Sequence, residues 1–97
     1  MFKPNCQAIL FRCTLQPDGS CTSDGGTPFD AFLMEHFKTG REGAVEDHSQ
    51  LLLEPEASTA PGDEVEIKGL RRTIARVLCC TGVNGSIKCY HCFFLRS

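Results

Sequence analysis

The apolar and polar positions of the first forty residues follow two different rhythms. Residues 7–15 open on the run Ala8-Ile9-Leu10-Phe11 and then alternate, Arg12 and Thr14 outward, Cys13 and Leu15 inward, which predicts a strand. Gln16-Pro17-Asp18-Gly19 stops it, because Pro presets φ for a turn and Gly accepts a positive φ. Residues 20–26 are small and polar and read as loop. The rhythm then changes. Phe29, Phe32, Leu33, His36 and Phe37 fall at helical spacing, on a single stripe. Thr27 suits the N-cap, Pro28 the first helical position, and Asp30 the positive end of the dipole. Lys38 and then Gly40 supply the stop. Burying three Phe from one face is worth on the order of 5–8 kcal/mol before ordering entropy, so this helix is expected to anchor the core.

Further along, Gln50-Leu51-Leu52-Leu53 predicts a short buried strand ended by Pro55. Glu64-Val65-Glu66-Ile67-Lys68 alternates, with Val65 and Ile67 inward, and predicts another. Residues 70–80 support two readings. As a helix, Leu70, Ile74, Val77 and Leu78 share one face, Arg71, Arg72 and Arg76 lie away from it, and Gly82 is the C′ residue. As a strand, the segment gains Thr73, Ile74, Val77, Cys79 and Cys80 as good β formers, followed by the hairpin signal Asn84-Gly85. The helical reading is adopted. Residues 86–95 form a strand in either case.

The resulting order is βαββαβ-like: a small two-layer α+β domain spanning 1–97. It has a four- or five-stranded, mostly antiparallel sheet, one Phe-rich helix and a second, basic helix if 70–80 is helical. Ninety-seven residues support one domain. An acidic stretch near 41–64, with one basic residue against seven acidic ones, is expected to be flexible. Residues 65–97 reverse the balance, with Lys68, Arg71, Arg72, Arg76, Lys88 and Arg96 against Glu66 alone. The overall net charge of −2 and the pI of about 5.9 exclude a dedicated nucleic-acid-binding domain of the strongly basic type.

Seven cysteines approach the density of disulfide scaffolds, and the odd count leaves at least one unpaired within the chain. No leader-like segment is visible and no apolar run is long enough to span a bilayer, so the expected state is a soluble, intracellular chain with reduced cysteines packed as small apolar residues. Cys89-Tyr90-His91-Cys92 has the spacing of a redox pair, but no following helix would lower a thiol pKa. Zinc on Cys89, Cys92 and the Cys79-Cys80 pair, completed by Cys13, Cys21 or His91, is a weak alternative, because adjacent side chains diverge in a strand. No cofactor is expected. If 77–83 is a strand closed by a two-residue Asn84-Gly85 loop, the pairs run Val83–Ser86, Gly82–Ile87, Thr81–Lys88 and Cys80–Cys89. Oxidation would then join Cys80 and Cys89.

No nucleophile elbow, phosphate loop or positioned His–carboxylate pair is present, so no catalytic residue is assigned. The expected role is a non-catalytic protein-interaction module or subunit of a larger assembly. Phe93 and Phe94 fall on opposite faces of the last strand, so one is expected to meet a partner. The partner contacts read from the chain are Arg71, Arg72, Arg76, Lys88, Tyr90, Phe93 and Phe94. The alternatives are a small secreted disulfide-bonded ligand and a ribonucleoprotein subunit touching RNA through the basic C-terminal third.

Overall fold

The computed structural model describes residues 3–23 and 25–95. Among them the backbone forms ten strands: β1 Cys6–Phe11, β2 Cys13–Leu15, β3 Cys21–Ser23, β4 Thr27–Met34, β5 Phe37–Thr39, β6 Val45–Asp47, β7 Gln50–Leu53, β8 Glu64–Ile67, β9 Leu70–Thr81 and β10 Ile87–Phe94. Six of them close an antiparallel barrel in the order β1-β4-β7-β10-β9-β8, with β8 pairing back onto β1. The pairs β2–β3 and β5–β6 are separate hairpins inserted between barrel strands. Successive antiparallel strands leave the barrel at opposite ends, so the two hairpins stand at opposite ends as well.

This architecture corrects the α+β expectation: the chain is all-β and the described residues contain no α-helix. The segment read as a Phe-rich helix is β4 followed by β5. Its apolar residues satisfy the period of two as well as 3.6, since Phe29, Ala31 and Leu33 all reach the core while Phe32 and Met34 take the outer face. A helix here would rest on local bonds alone. As a strand, β4 pairs Ala8 with Phe29 on one side and Leu51 with Leu33 on the other, and those two neighbours decide the outcome. The second helix is likewise replaced, by the twelve-residue β9. Lys68 and Gly69, both at positive φ, make the two-residue turn that pairs Ile67 with Leu70 and commits the following residues to a strand.

The barrel strands send mostly small or aliphatic side chains inward: Ala8 and Leu10, Ala31, Leu51 and Leu53, Val65 and Ile67, Ile74, and Cys92, with Tyr90 the one buried aromatic among the described residues and Phe29 and Phe94 packed against the cluster. The packed role expected of the cysteines belongs fully to Cys92, whereas Cys79 is exposed and Cys13 is bonded to Cys21 within the β2–β3 hairpin at a Cα separation of 5.6 Å.

β7 and β8 are not neighbours, so residues 54–63 must cross one end of the barrel. A 3-10 turn at Pro55–Ala57 brings fully buried Ala57 under that crossing, and the Arg12 guanidinium donates to the Ala57 carbonyl at 2.6 Å. Asp63 then organises the return. Its Oδ2 accepts from the Thr59 hydroxyl and the Ala60 N–H, both at 3.0 Å, and its Oδ1 accepts from the Cys13 N–H at 2.9 Å.

Burial pushes the Cys92 thiol up to about 12, with the Asp63 carboxylate and the Cys89 thiol adding to the effect. The ordinary value is 9.0, so the folded state holds its proton more tightly than the unfolded chain. Stability from this group is complete below about pH 9 and is lost as pH rises toward 12. Between pH 7 and about 10.5 the loss is about 2 kcal/mol. Urea unfolding of wild type and Cys92→Val at both pH values reads it, as a difference between the proteins that shrinks at the higher pH. An unchanged difference would show that Cys92 carries none of the alkaline loss.

Candidate interaction face

Alternation along a closed barrel puts every second side chain outside, and here the two halves of the outer surface differ. Around β1, β8 and the start of β9 the outward residues are Gln7, Ile9, Phe11, Glu64, Glu66, Arg71 and Thr73, five of the seven polar or charged. Across β4, β7, β10 and β9 the register aligns Phe32, Leu52, His91 and Leu78 in one outward row. The next row is Met34, Gln50, Phe93 and Arg76. Beyond His91 and Leu78 lies the pair Cys89 and Cys80. A strand face that meets water is ordinarily polar. Here five of the eight residues in the two rows are apolar, Leu78 being 47% exposed.

Contacts between side chains fix the centre of the face. His91 stacks on Phe93 with ring centroids 4.5 Å apart, and the Arg76 guanidinium lies 4.2 Å from the Phe93 centroid on the same side of the sheet. Burial, and then the Arg76 charge, hold the His91 imidazolium below its ordinary pKa. The ring is therefore neutral at pH 7, and Nε2–H donates to Gln50 Oε1 at 2.7 Å. The result is a flat aromatic platform whose one cation already sits on a ring.

The β9–β10 hairpin continues past the barrel. β8 pairs with β9 only as far as Thr73, and β7 pairs with β10 only between Phe93 and Tyr90. Toward its tip the ribbon is held by its own ladder, and Val83 at the tip is fully exposed. The Asn84-Gly85 loop is one residue longer than the two-residue turn expected. Gly85 N–H donates to the Gly82 carbonyl and Gly82 N–H to that of Ser86, with Gly85 at φ +82°, a turn over Val83-Asn84 followed by a left-handed Gly. Thr81 consequently faces Ile87. A bulge at Lys88 restores the lost residue, so that Cys80 faces Cys89.

The residues singled out in the sequence are dispersed by the barrel. Arg71 points outward on the polar half, 3.0 Å from Glu64 Oε1 and 3.8 Å from the centroid of the Phe11 ring. Arg72 turns over the barrel end, its Nε 3.0 Å from Asp47 Oδ2 and its guanidinium 5.3 Å from the Phe94 centroid. Burial works against the Asp47 charge, yet the Ser49 and Arg72 hydrogen bonds hold its carboxyl below the usual range. Arg76 alone of the three joins the apolar face. The single basic helix face expected for nucleic-acid contact therefore does not form, and Arg96 lies outside the described residues. Lys88 is exposed on the ribbon, Tyr90 is buried in the core, Phe93 is outward and Phe94 packs inward.

From the sequence Phe32 and Leu78 belong to the apolar faces of the two expected helices, Leu52 to a buried strand, and Met34 to no site, so their outward row is not expected. The signal was local: Ala31-Phe32-Leu33-Met34 and Leu51-Leu52-Leu53 are apolar on both alternating sets, which an outward polar face would not produce. Among the described residues no group of three or more His, Cys, Asp and Glu is placed to hold a metal ion, and no helix is long and apolar enough to cross a membrane. No protein-family model matches the chain, and neither a curated protein nor a solved structure matches it.

Proposed function

We propose that this protein is a non-catalytic interaction subunit that docks another protein on the outer face of β4, β7, β10 and β9. The observation that supports the reading is the asymmetry of the barrel exterior, mostly polar around β1 and β8 apart from Ile9 and Phe11, and richer in apolar side chains across β4, β7, β10 and β9. Phe32, Leu52, Phe93 and Leu78 offer aliphatic and aromatic contact with little entropy to lose, because the strands already hold them in rows. The reading places the chain inside the cell. A second reading, a small secreted disulfide-bonded ligand, is favoured by the Cys13–Cys21 bond, which an oxidising compartment maintains.

Affinity purification of the tagged full chain from the cells that express it, with the medium assayed in parallel, tests both. Wild type and Glu66→Lys, altered on the polar half, are expected to recover the same protein from the lysate. Leu78→Lys and Phe93→Gln are expected to lose it while keeping the wild-type circular dichroism spectrum. Recovery of the same protein by all four chains would overturn the proposed face. Recovery of the chain itself from the medium alone would establish the secreted reading instead.

A further inference from the structure

We infer that Cys80 and Cys89 form an oxidisable dithiol site that reacts with a low-molecular-weight disulfide and closes a cross-strand bond at the base of the β9–β10 ribbon. The two residues are register partners on adjacent antiparallel strands. Directly opposed Cα atoms lie about 4.5–5.5 Å apart in such a ladder, inside the range a disulfide spans. Both side chains take the outward face, each partly accessible, so a small disulfide can reach the sulfurs from solvent.

The fold selects this pair from five free cysteines. Cys92 is fully buried in the barrel, closed to a reagent. Cys6 belongs to β1, whose neighbours in the barrel are β4 and β8 and not the ribbon, and its thiol donates to the Ala31 carbonyl. Cys79 is exposed but alternates to the other face, where its register partner is the buried Tyr90 rather than a thiol. Only Cys80 and Cys89 meet a sulfur across the ladder. The Lys88 bulge sets this alignment, because without it the longer Asn84-Gly85 loop would place Lys88 opposite Cys80.

The chemistry is two thiol–disulfide exchanges. One protein thiolate attacks the small disulfide, breaking its S–S bond, forming a mixed disulfide and releasing one small thiol. The second protein thiolate then attacks the protein sulfur of that mixed disulfide and releases the other small thiol. The protons of Cys80 and Cys89 end on the two released thiols, and the small disulfide takes up the two electrons. The new bond closes the ribbon beyond the barrel, where neither β7 nor β8 supports it.

The test equilibrates the full chain with oxidised and reduced glutathione, traps remaining thiols by alkylation, and reads linkages from fragment-ion spectra after proteolysis. A Cys80–Cys89 linkage is expected in wild type and in Cys79→Ser, and amide exchange across 81–88 is expected to slow roughly tenfold once it forms. Cys80→Ser is expected to carry glutathione on Cys89 and to form no internal bond there. The inference is overturned if Cys80 and Cys89 are both alkylated at equilibrium with excess oxidised glutathione. It is equally overturned if the new linkage runs through Cys79, or if both residues stop at separate mixed disulfides.

Discussion

Asp63→Ala is expected to lower the unfolding free energy by about 3–5 kcal/mol, the largest effect of any single polar substitution in this fold. Asp63 is 5% exposed and its carboxylate accepts from three donors in two parts of the chain: the Thr59 hydroxyl and Ala60 N–H in the crossing, and the Cys13 N–H in β2. Truncation leaves those donors without their acceptor beneath the crossing that closes one end of the barrel. The same crossing carries backbone bonds to β9, from Gly62 N–H to the Ile74 carbonyl and from Ile74 N–H to the Asp63 carbonyl, both at 2.8 Å. Loosening it therefore exposes Ala57 and Ile74 together. Asp63→Asn retains one acceptor oxygen and is expected to fall between wild type and Ala. Urea unfolding monitored by circular dichroism gives all three values. A loss under about 1 kcal/mol for Asp63→Ala would show that the crossing is held by its backbone alone.

Gly26→Ala is expected to cost about 2–4 kcal/mol, from two terms that a second glycine separates. Gly26 sits at φ +84°, where an L side chain is strained, immediately before β4. A Cβ there would lie 2.7 Å from Phe11 Cε1 and 2.8 Å from Ile9 Cγ2. Phe11 cannot simply swing aside, because its ring carries the Arg71 guanidinium at 3.8 Å. Gly19 has the same backbone sign at φ +87° but nothing within 4 Å of its Cβ position. Gly19→Ala is accordingly expected to cost only the conformational part, about 1 kcal/mol. Thermal unfolding of the two variants beside wild type measures the difference. Equal losses would mean that β1 gives way freely and that the contact with Ile9 and Phe11 adds nothing.

Four strands were legible from alternation and apolar runs, at 7–15, 50–53, 64–68 and 86–95, and each has a counterpart in β1 with β2, β7, β8 and β10. Details within them were not. Leu15, read as inward, is 74% exposed, because β2 has left the barrel for a hairpin of its own. The interaction face was half visible. Phe93 and Arg76 were picked out by their chemistry, while Phe32 and Leu78 were assigned to the apolar faces of the two expected helices and Leu52 to a buried strand, since their row exists only where four strands lie side by side.

The pairing of Cys80 with Cys89 separates the two kinds of information. Counting from a two-residue Asn84-Gly85 loop reaches the same partners as the structure, but through a different path. The loop is a residue longer, and the bulge at Lys88 cancels the difference. Taken alone, the sequence determined where the chain turns and which short segments alternate, because Gly, Pro and period-two patterning act over a few neighbouring residues. Tertiary structure decided the rest. Residues 27–39 satisfy a helix and a strand equally well, and 70–80 nearly so. A strand draws its hydrogen bonds from other parts of the chain, so only the closing of β1, β7, β8 and β10 around these segments could make both of them β.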